Sequence, residues 1–127
     1  MSLSNYAQVE GIRRVEAAAA AGAFNQALLD RTLTTMAAQV TTPRVVDKTT
    51  TLLRIEAQDA ELKYIYEMDP PMDFLSAGMR VKVQQHNCTL DGLIDIIDAG
   101  AVITHLYLRK DGSEIGDIPV TRQVCER

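Results

Sequence analysis

The hydrophobic positions in the first part of the chain repeat with the period of an α-helix. Apolar residues recur at intervals of four, three and four: Leu29, Leu33, Met36 and Val40. Residues with this spacing share one face of a helix, so the pattern predicts a helix that ends at Thr41-Thr42-Pro43. A stretch from Asn5 to Ala21, rich in good helix formers, precedes it, and Gly22 separates the two segments. The sequence therefore predicts two N-terminal helices.

The middle of the chain alternates with a period of two, which is typical of half-buried β-strands. The first strand places four residues on a common face: Thr51, Leu53, Ile55 and Ala57. The second strand does the same with Leu62, Tyr64, Tyr66 and Met68. The polar connection at 58–60 joins the two strands in a hairpin. Tyr64 and Tyr66 could line a ligand pocket, but aromatic residues at strand spacing are more often core or cross-strand partners.

A second helical region follows this hairpin. Asp69-Pro70-Pro71 carries the signal of a helix start, with aspartate as the cap and proline in the first turn. Thr89 predicts the cap of a short helix that ends at Gly100, since glycine favours the left-handed conformation that closes a helix. Three acidic residues share one face of that helix: Asp91, Asp95 and Asp98. They could form a cation site, but a solvated face opposite the apolar one explains them better.

Two more predicted strands, 101–109 and 113–120, complete the pattern, and Asp111-Gly112 predicts the tight two-residue turn between them. The apolar residues of the last strand are out of phase, which predicts a one-residue bulge near Gly116. Pro119 cannot donate a ladder hydrogen bond, so this strand is expected at an edge of the sheet.

Together these elements predict an α+β fold. N-terminal helices precede a four-stranded antiparallel sheet made of two hairpins, with helices packed on one face. At 127 residues the chain is expected to form a single domain, 1–127, that buries a core of its own. Within it, 1–24 is interpreted as a protruding helix or as a spacer to a missing anchor.

The composition narrows the class of protein. A hydrophobic share of 46% and a charged share of 24% are ordinary for a soluble domain and argue against disorder. The net charge of −4, without a basic cluster, argues against nucleic-acid binding. No apolar stretch reaches the about 18 residues of a membrane span, and no signal peptide opens the chain. Met1-Ser2-Leu3 is typical of a cloning remnant, and on that interpretation we expect the natural chain to begin earlier, with an export signal or an anchor.

Several short segments, taken in order along the chain, resemble a known group of proteins. They are Pro43, Asp47-Lys48-Thr49, Leu53, Leu62-Lys63-Tyr64-Ile65-Tyr66, Cys88, Leu93-Ile94-Asp95, Gly100-Ala101, Leu106-Tyr107, Asp111-Gly112, Ile115 and Cys125. This order is similar to that of a group of small bacterial proteins of unknown function, usually exported or membrane-anchored, and it covers residues 37–125. The resemblance implies an envelope location and a Cys88–Cys125 pair. It implies no reaction, cofactor or catalytic residue.

The two cysteines and two histidines are the residues from which reactive chemistry would be built. Cys88 and Cys125 could form a disulfide, which belongs in an oxidising compartment, or could remain free thiols. With His86 and His105 they could bind zinc, but the C-x-x-C spacing typical of zinc sites is missing. His86 could also activate Cys88 as a nucleophile, although such pairs are seldom sequence neighbours. The cysteine pattern favours the disulfide.

The function predicted from the sequence is non-catalytic. The chain contains no glycine-rich phosphate loop, nucleophile elbow or HExxH run. We therefore expect no catalytic, cofactor-binding or metal-binding residues, and interpret the protein as a periplasmic or membrane-anchored module that binds a protein partner or itself. An exposed sheet edge or the N-terminal helix would provide the surface. The alternative is a small hydrolase or thiol enzyme, which a cleft holding His86 or His105 beside a carboxylate would favour.

Overall fold

The computed structural model describes residues 25–126 of the chain. The elements, in chain order, are α1 (25–39), β1 (Arg44–Val45), β2 (Thr50–Gln58), β3 (Glu61–Met68), α2 (Ala77–Thr89), α3 (Asp91–Asp98), β4 (Val102–Leu108), β5 (Glu114–Val120) and α4 (Arg122–Cys125). The helix predicted at Asn5–Ala21, and the protruding helix or spacer expected at 1–24, lie outside the described residues. Within 25–126, no helix combines the length and the hydrophobicity that crossing a membrane requires.

The sheet contains five strands in the order β1-β2-β3-β4-β5, and it is mixed. β3 and β4 run parallel, whereas the other neighbouring pairs are antiparallel. The prediction of four antiparallel strands is therefore wrong in the number of strands and in one pairing. A parallel pair needs a long crossover, and α2 with α3 provide it by returning the chain to the end of the sheet where β3 begins. Alternation with a period of two is common to both kinds of pairing, so it could not distinguish them.

The start of the sheet also differs from expectation. β1 consists of Arg44–Val45 alone, which is too short to give a sequence pattern. In β2 the register against β3 shifts just after Leu52, where a bulge inserts one residue. Leu52 is therefore buried, and the predicted face containing Thr51 and Leu53 is wrong. Beyond the bulge, Ile55 packs against the core as predicted.

The core lies between one face of the sheet and the helices, as the sequence predicts. A first cluster joins α1 and α3 to the sheet: Leu29, Leu33, Leu62, Ile96, Ile97, Ala101, Ile103 and Val120. A second cluster lies toward the opposite ends of β3 and β4: Met68, Leu75, Tyr107 and Ile118. Met79 and Val83 of α2 pack against this second cluster. The removal of these apolar side chains from water is the main force that holds the helices to the sheet.

The last hairpin confirms the predicted bulge and edge but corrects the turn. The backbone N–H of Arg109 donates to the carbonyl of Ser113 at 2.7 Å, so three residues, 110–112, form the loop instead of two. Gly112 has a φ of +89°, whereas Asp111 does not adopt a positive φ. This arrangement is the common three-residue loop whose last residue is left-handed. The register shifts between Gly116 and Glu114, and β5, which contains Pro119, forms an edge of the sheet.

The predicted starts of α2 and α3 are wrong, whereas the predicted end of α3 is right. The chain from Asp69 to Ser76 is irregular, and α2 begins only at Ala77, where the Ser76 hydroxyl accepts a 3.1 Å bond from the Met79 N–H. Residues that precede a proline disfavour helical geometry, which explains why Asp69-Pro70-Pro71 does not start the helix. Thr89 ends α2 and does not cap α3. Gly100 follows α3 with a φ of +110°, as predicted.

Candidate functional site

A cleft of about 560 Å³ lies between α2, the loop that joins β1 to β2, and one end of the sheet. Tyr66 of β3 and Tyr107 of β4 form its floor, and Met79 and Val83 of α2 form one wall. The opposite wall is the loop residue Val46, whose side chain is 54% exposed. Two smaller hollows, of about 310 and 330 Å³, lie beside α1. The cleft at α2 is larger than either hollow and combines apolar walls with several polar groups, which is the usual character of a ligand site.

The tyrosine floor presents one hydroxyl to the cleft. The rings of Tyr66 and Tyr107 stack with centroids 4.8 Å apart. Tyr107 is only 5% exposed, and its hydroxyl has no hydrogen-bond partner within residues 25–126. Every fully buried side-chain nitrogen or oxygen of that part of the chain has a partner, so the Tyr107 hydroxyl is not fully buried, and Tyr107 lines the cleft. Burial, with a smaller effect of the Asp47 charge, raises the pKa of Tyr107 to about 12, so this hydroxyl stays protonated.

The other hydroxyl of the floor belongs to a buried network. The Tyr66 hydroxyl lies 2.8 Å from Nδ1 of His105, and Nε2 of His105 lies 3.0 Å from Oδ1 of Asn87. The Asn87 Nδ2 donates to the carbonyl of Val83 at 2.7 Å, so its Oδ1 faces His105 as an acceptor. His105 must therefore carry its proton on Nε2, and its Nδ1 accepts the proton of the Tyr66 hydroxyl. One assignment of hydrogens satisfies all three side chains.

This network is poorly suited to catalysis. Burial, with a smaller effect of the nearby His86, lowers the pKa of His105 to about 4, so the ring is neutral near pH 7. Burial also raises the pKa of Tyr66 far above its ordinary value, so no tyrosinate forms. His105 contacts a hydroxyl and an amide rather than a carboxylate, and therefore lacks the partner that a general base of the predicted kind requires. The network fixes the floor of the cleft instead.

Two charged side chains line the cleft from opposite walls. The Asp47 carboxylate accepts a 2.9 Å bond from the Thr49 N–H and a 3.1 Å bond from the Thr49 hydroxyl. The hydrogen bond from the Thr49 N–H has the largest effect, and it holds the pKa of Asp47 below its usual value. The carboxylate is therefore ionised near pH 7. Lys82 lines the cleft from α2. Neither charge belongs to an ion pair in the described part of the chain.

A glycine keeps the α2 side of the cleft open. Gly78 lies in the first turn of α2 and lines the cleft. A Cβ atom built there would meet nothing within 4 Å, so no packing constraint requires glycine. A larger side chain at position 78 would occupy part of this open space.

The cysteines and histidines singled out from the sequence do not form a reactive site. Cys88 at the end of α2 and Cys125 in α4 are joined in a disulfide that spans 37 positions of sequence. His86 is exposed on α2, whereas His105 is buried in the network with Tyr66. The four side chains therefore do not converge as zinc ligands, and in residues 25–126 no three His, Cys, Asp or Glu residues are grouped as a metal site would need.

The acidic residues of α3 behave as surface residues. All three carboxylates are exposed: Asp91, Asp95 and Asp98. Sequence reasoning instead missed Asp47, Lys82 and the open hydroxyl of Tyr107, because these residues come from three separate elements that only the fold brings together.

Comparison with solved structures relates the fold to a candidate secreted protein and to secretion-system pilotins of bacteria. No protein-family model and no curated protein matches the sequence. A candidate secreted protein of Pseudomonas aeruginosa aligns with a TM-score of 0.70 and 15% identity, over 80% of this chain and 96% of that one. The pilotin EpsS of the Vibrio vulnificus type 2 secretion system gives 0.66 and 13%, over 81% and 93%. The type II secretion system pilotin AspS of Vibrio cholerae gives 0.65 and 15%, over 81% and 97%. At these identities the likeness establishes a shared fold.

Proposed function

We propose that this chain is a non-catalytic protein of the bacterial envelope that binds a segment of another protein in the cleft at α2 and thereby serves the assembly of an envelope complex. The observation that carries the proposal is the cleft itself. It has an apolar floor and an available hydroxyl, but no activated nucleophile or base among its described residues. Two of the structural neighbours are pilotins of type II secretion systems, which supports an assembly role.

The proposed location is the periplasm, either free or attached to a membrane through an upstream anchor. The secreted and secretion-system neighbours support this location. The Cys88–Cys125 disulfide is proposed to form there, since oxidising compartments preserve such bonds. The bond ties the end of α2, next to the buried Asn87, to the C-terminal helix α4. It would therefore stabilise the helix that forms one wall of the cleft.

The cleft supports a partner site better than the sheet edge expected from the sequence does. The predicted N-terminal helix lies outside the described residues. One sheet edge is β5, in which Pro119 cannot donate a ladder hydrogen bond, and the other is the two-residue β1. The thiol-enzyme alternative loses its nucleophile where Cys88 is bonded to Cys125.

Site-specific photocrosslinking in the native host tests the proposal. We would replace Val46, which is 54% exposed on the wall of the cleft, with p-benzoylphenylalanine. The matched control is the same replacement at Val81, which is 43% exposed on α2 and does not line the cleft. The expected result is an adduct to one envelope protein at position 46 alone. The adduct should disappear when Gly78→Leu fills the cleft.

The Gly78→Leu variant has its own control. Gly92 in α3 also has nothing within 4 Å of a built Cβ, and it does not line the cleft, so Gly92→Leu should leave the adduct intact. Equal adducts from positions 46 and 81, or an adduct that survives Gly78→Leu, would contradict binding in the cleft. An adduct to a second copy of this chain would show self-association in place of a separate partner.

A further inference from the structure

We infer that the segment recognised by the cleft carries a cationic side chain beside an apolar one, with the cation seated between the Asp47 carboxylate and the Tyr107 hydroxyl. This inference rests on the proposed function and specifies the chemistry of the partner. It is carried by three features of the described residues, namely a carboxylate without an ion-pair partner, an unpartnered hydroxyl on the largely buried Tyr107, and an apolar floor in the same cleft.

The anionic end of the cleft is preorganised for a cation. Two hydrogen bonds from Thr49 to Oδ1 orient the Asp47 carboxylate, and neither of them uses Oδ2. Asp47 and Tyr107 line the same cleft, and the carboxylate and the hydroxyl share no hydrogen bond. An ammonium or guanidinium group between them could donate to both oxygens, and charge-assisted bonds of this kind are about twice as strong as neutral ones.

The adjacent part of the floor selects an apolar group. The Tyr66 hydroxyl is already bonded to His105, so the Tyr66 ring offers the cleft an apolar surface. Met79 and Val83 of α2 face the same space. A polar side chain placed there would lose its hydrogen bonds to water without finding new ones, whereas an aliphatic side chain or methionine would gain from burial. The cation and the apolar group should therefore be close neighbours on the partner surface.

Lys82 is the second charged residue of the cleft, and its substitution can be compared with that of Asp47. It lines the same cleft and forms no ion pair with Asp47 or with any other residue in the range 25–126. Its positive charge opposes the entry of a second cation, so removal of the Lys82 charge should not weaken the binding of a cationic ligand. Removal of the Asp47 charge should weaken that binding. The two substitutions therefore separate a specific charge preference from a general effect of altering the cleft.

The experiment uses a phage library of random twelve-residue peptides. Peptides are selected on the immobilised protein and depleted on the Gly78→Leu variant, so that only ligands of the cleft remain. Binding of the enriched peptides is then measured by fluorescence anisotropy with the wild type, Asp47→Asn and Lys82→Gln. Each peptide is also tested with its lysine or arginine replaced by glutamine. The small cationic competitor is Nα-acetyl-lysine amide, which keeps its ε-ammonium group.

The expected result is a lysine or arginine adjacent to an apolar residue in the enriched peptides. Asp47→Asn should weaken their binding at least about fivefold, as expected for a partly desolvated charge pair, and Lys82→Gln should not weaken it.

If the enriched peptides bind Asp47→Asn as tightly as the wild type, this inference is overturned and the proposed function stands. If no peptide remains enriched after depletion on Gly78→Leu, the cleft is not the binding surface, and both the inference and the proposed function are overturned. Displacement of the peptides by Nα-acetyl-lysine amide at similar concentrations would assign the site to small cations and overturn the peptide inference.

Discussion

The carboxylate of Asp30 in α1 accepts a 2.8 Å hydrogen bond from the backbone N–H of Ala60, at the tip of the β2–β3 hairpin. Ala60 has a φ of +62° and Asp59 a φ of +51°, which is the left-handed conformation that residues other than glycine rarely adopt. The carbonyl of Ala60 in turn accepts a 2.9 Å bond from the N–H of Val102, the first residue of β4. Helix α1 and strand β4 therefore hold the strained turn from two sides.

The Asp30 bond predicts a measurable loss of stability. Asp30→Ala should lower the free energy of unfolding by about 1–2 kcal/mol, because the Ala60 N–H loses its charged acceptor in a partly buried place. The measurement is the midpoint of urea unfolding. Asp98→Ala, at an exposed acidic residue of α3, is the control and should change the midpoint little. Equal effects of the two variants would show that the bond does not stabilise the turn.

This hairpin also shows what the sequence could and could not predict. The two strands and their polar connection are local, and the alternation of Leu62, Tyr64 and Tyr66 made them visible. Asp59-Ala60 lacks the usual asparagine or glycine of a tight turn, and its support comes from Asp30 and Val102. Such long-range contacts leave no periodic signal. The same limit applies to the parallel β3–β4 pairing and to the cleft.

The two positive-φ turns predict substitutions of opposite effect. Ala60→Gly should raise the free energy of unfolding by about 0.5–1 kcal/mol, because the relief of left-handed strain exceeds the added entropy of the unfolded chain. Gly112→Val should lower it by about 1 kcal/mol or more. Since a Cβ at Gly112 meets nothing within 4 Å, that loss would come from the backbone and not from a clash. Midpoints of urea unfolding that move in the same direction for both variants would rule out this account.

The disulfide predicts both a mass and a stability change. The exported protein, treated with an alkylating agent without reductant, should show no alkylated cysteine by intact-mass analysis, and two after reduction. For a loop of 37 positions, the double variant Cys88→Ala/Cys125→Ala should lose on the order of 3–4 kcal/mol by the chain-entropy relation. Two alkylated cysteines in the unreduced protein would refute the bond.

The buried His105 predicts that stability falls in mildly acidic solution. Its pKa is lowered from an ordinary 6.5 to about 4, chiefly by burial, so the unfolded chain binds a proton at this residue more readily than the folded one. The neutral, buried His105 ring therefore contributes to the free energy of unfolding. This contribution is fully present above pH 6.5 and is lost as the pH falls toward 4. At pH 5 the loss should be about 2 kcal/mol relative to pH 7.5.

Two measurements test the His105 prediction separately from the titration of the carboxylates. The His105 ring resonances, followed by NMR, should report its pKa directly. The pH dependence of the urea midpoint should become shallower between pH 7 and 5 in His105→Gln, which cannot titrate. His86→Gln is the matched control, because His86 is exposed and its replacement should preserve most of the dependence. An ordinary pKa for His105 would mean that Tyr66 and Asn87 do not hold the ring in a neutral, buried state.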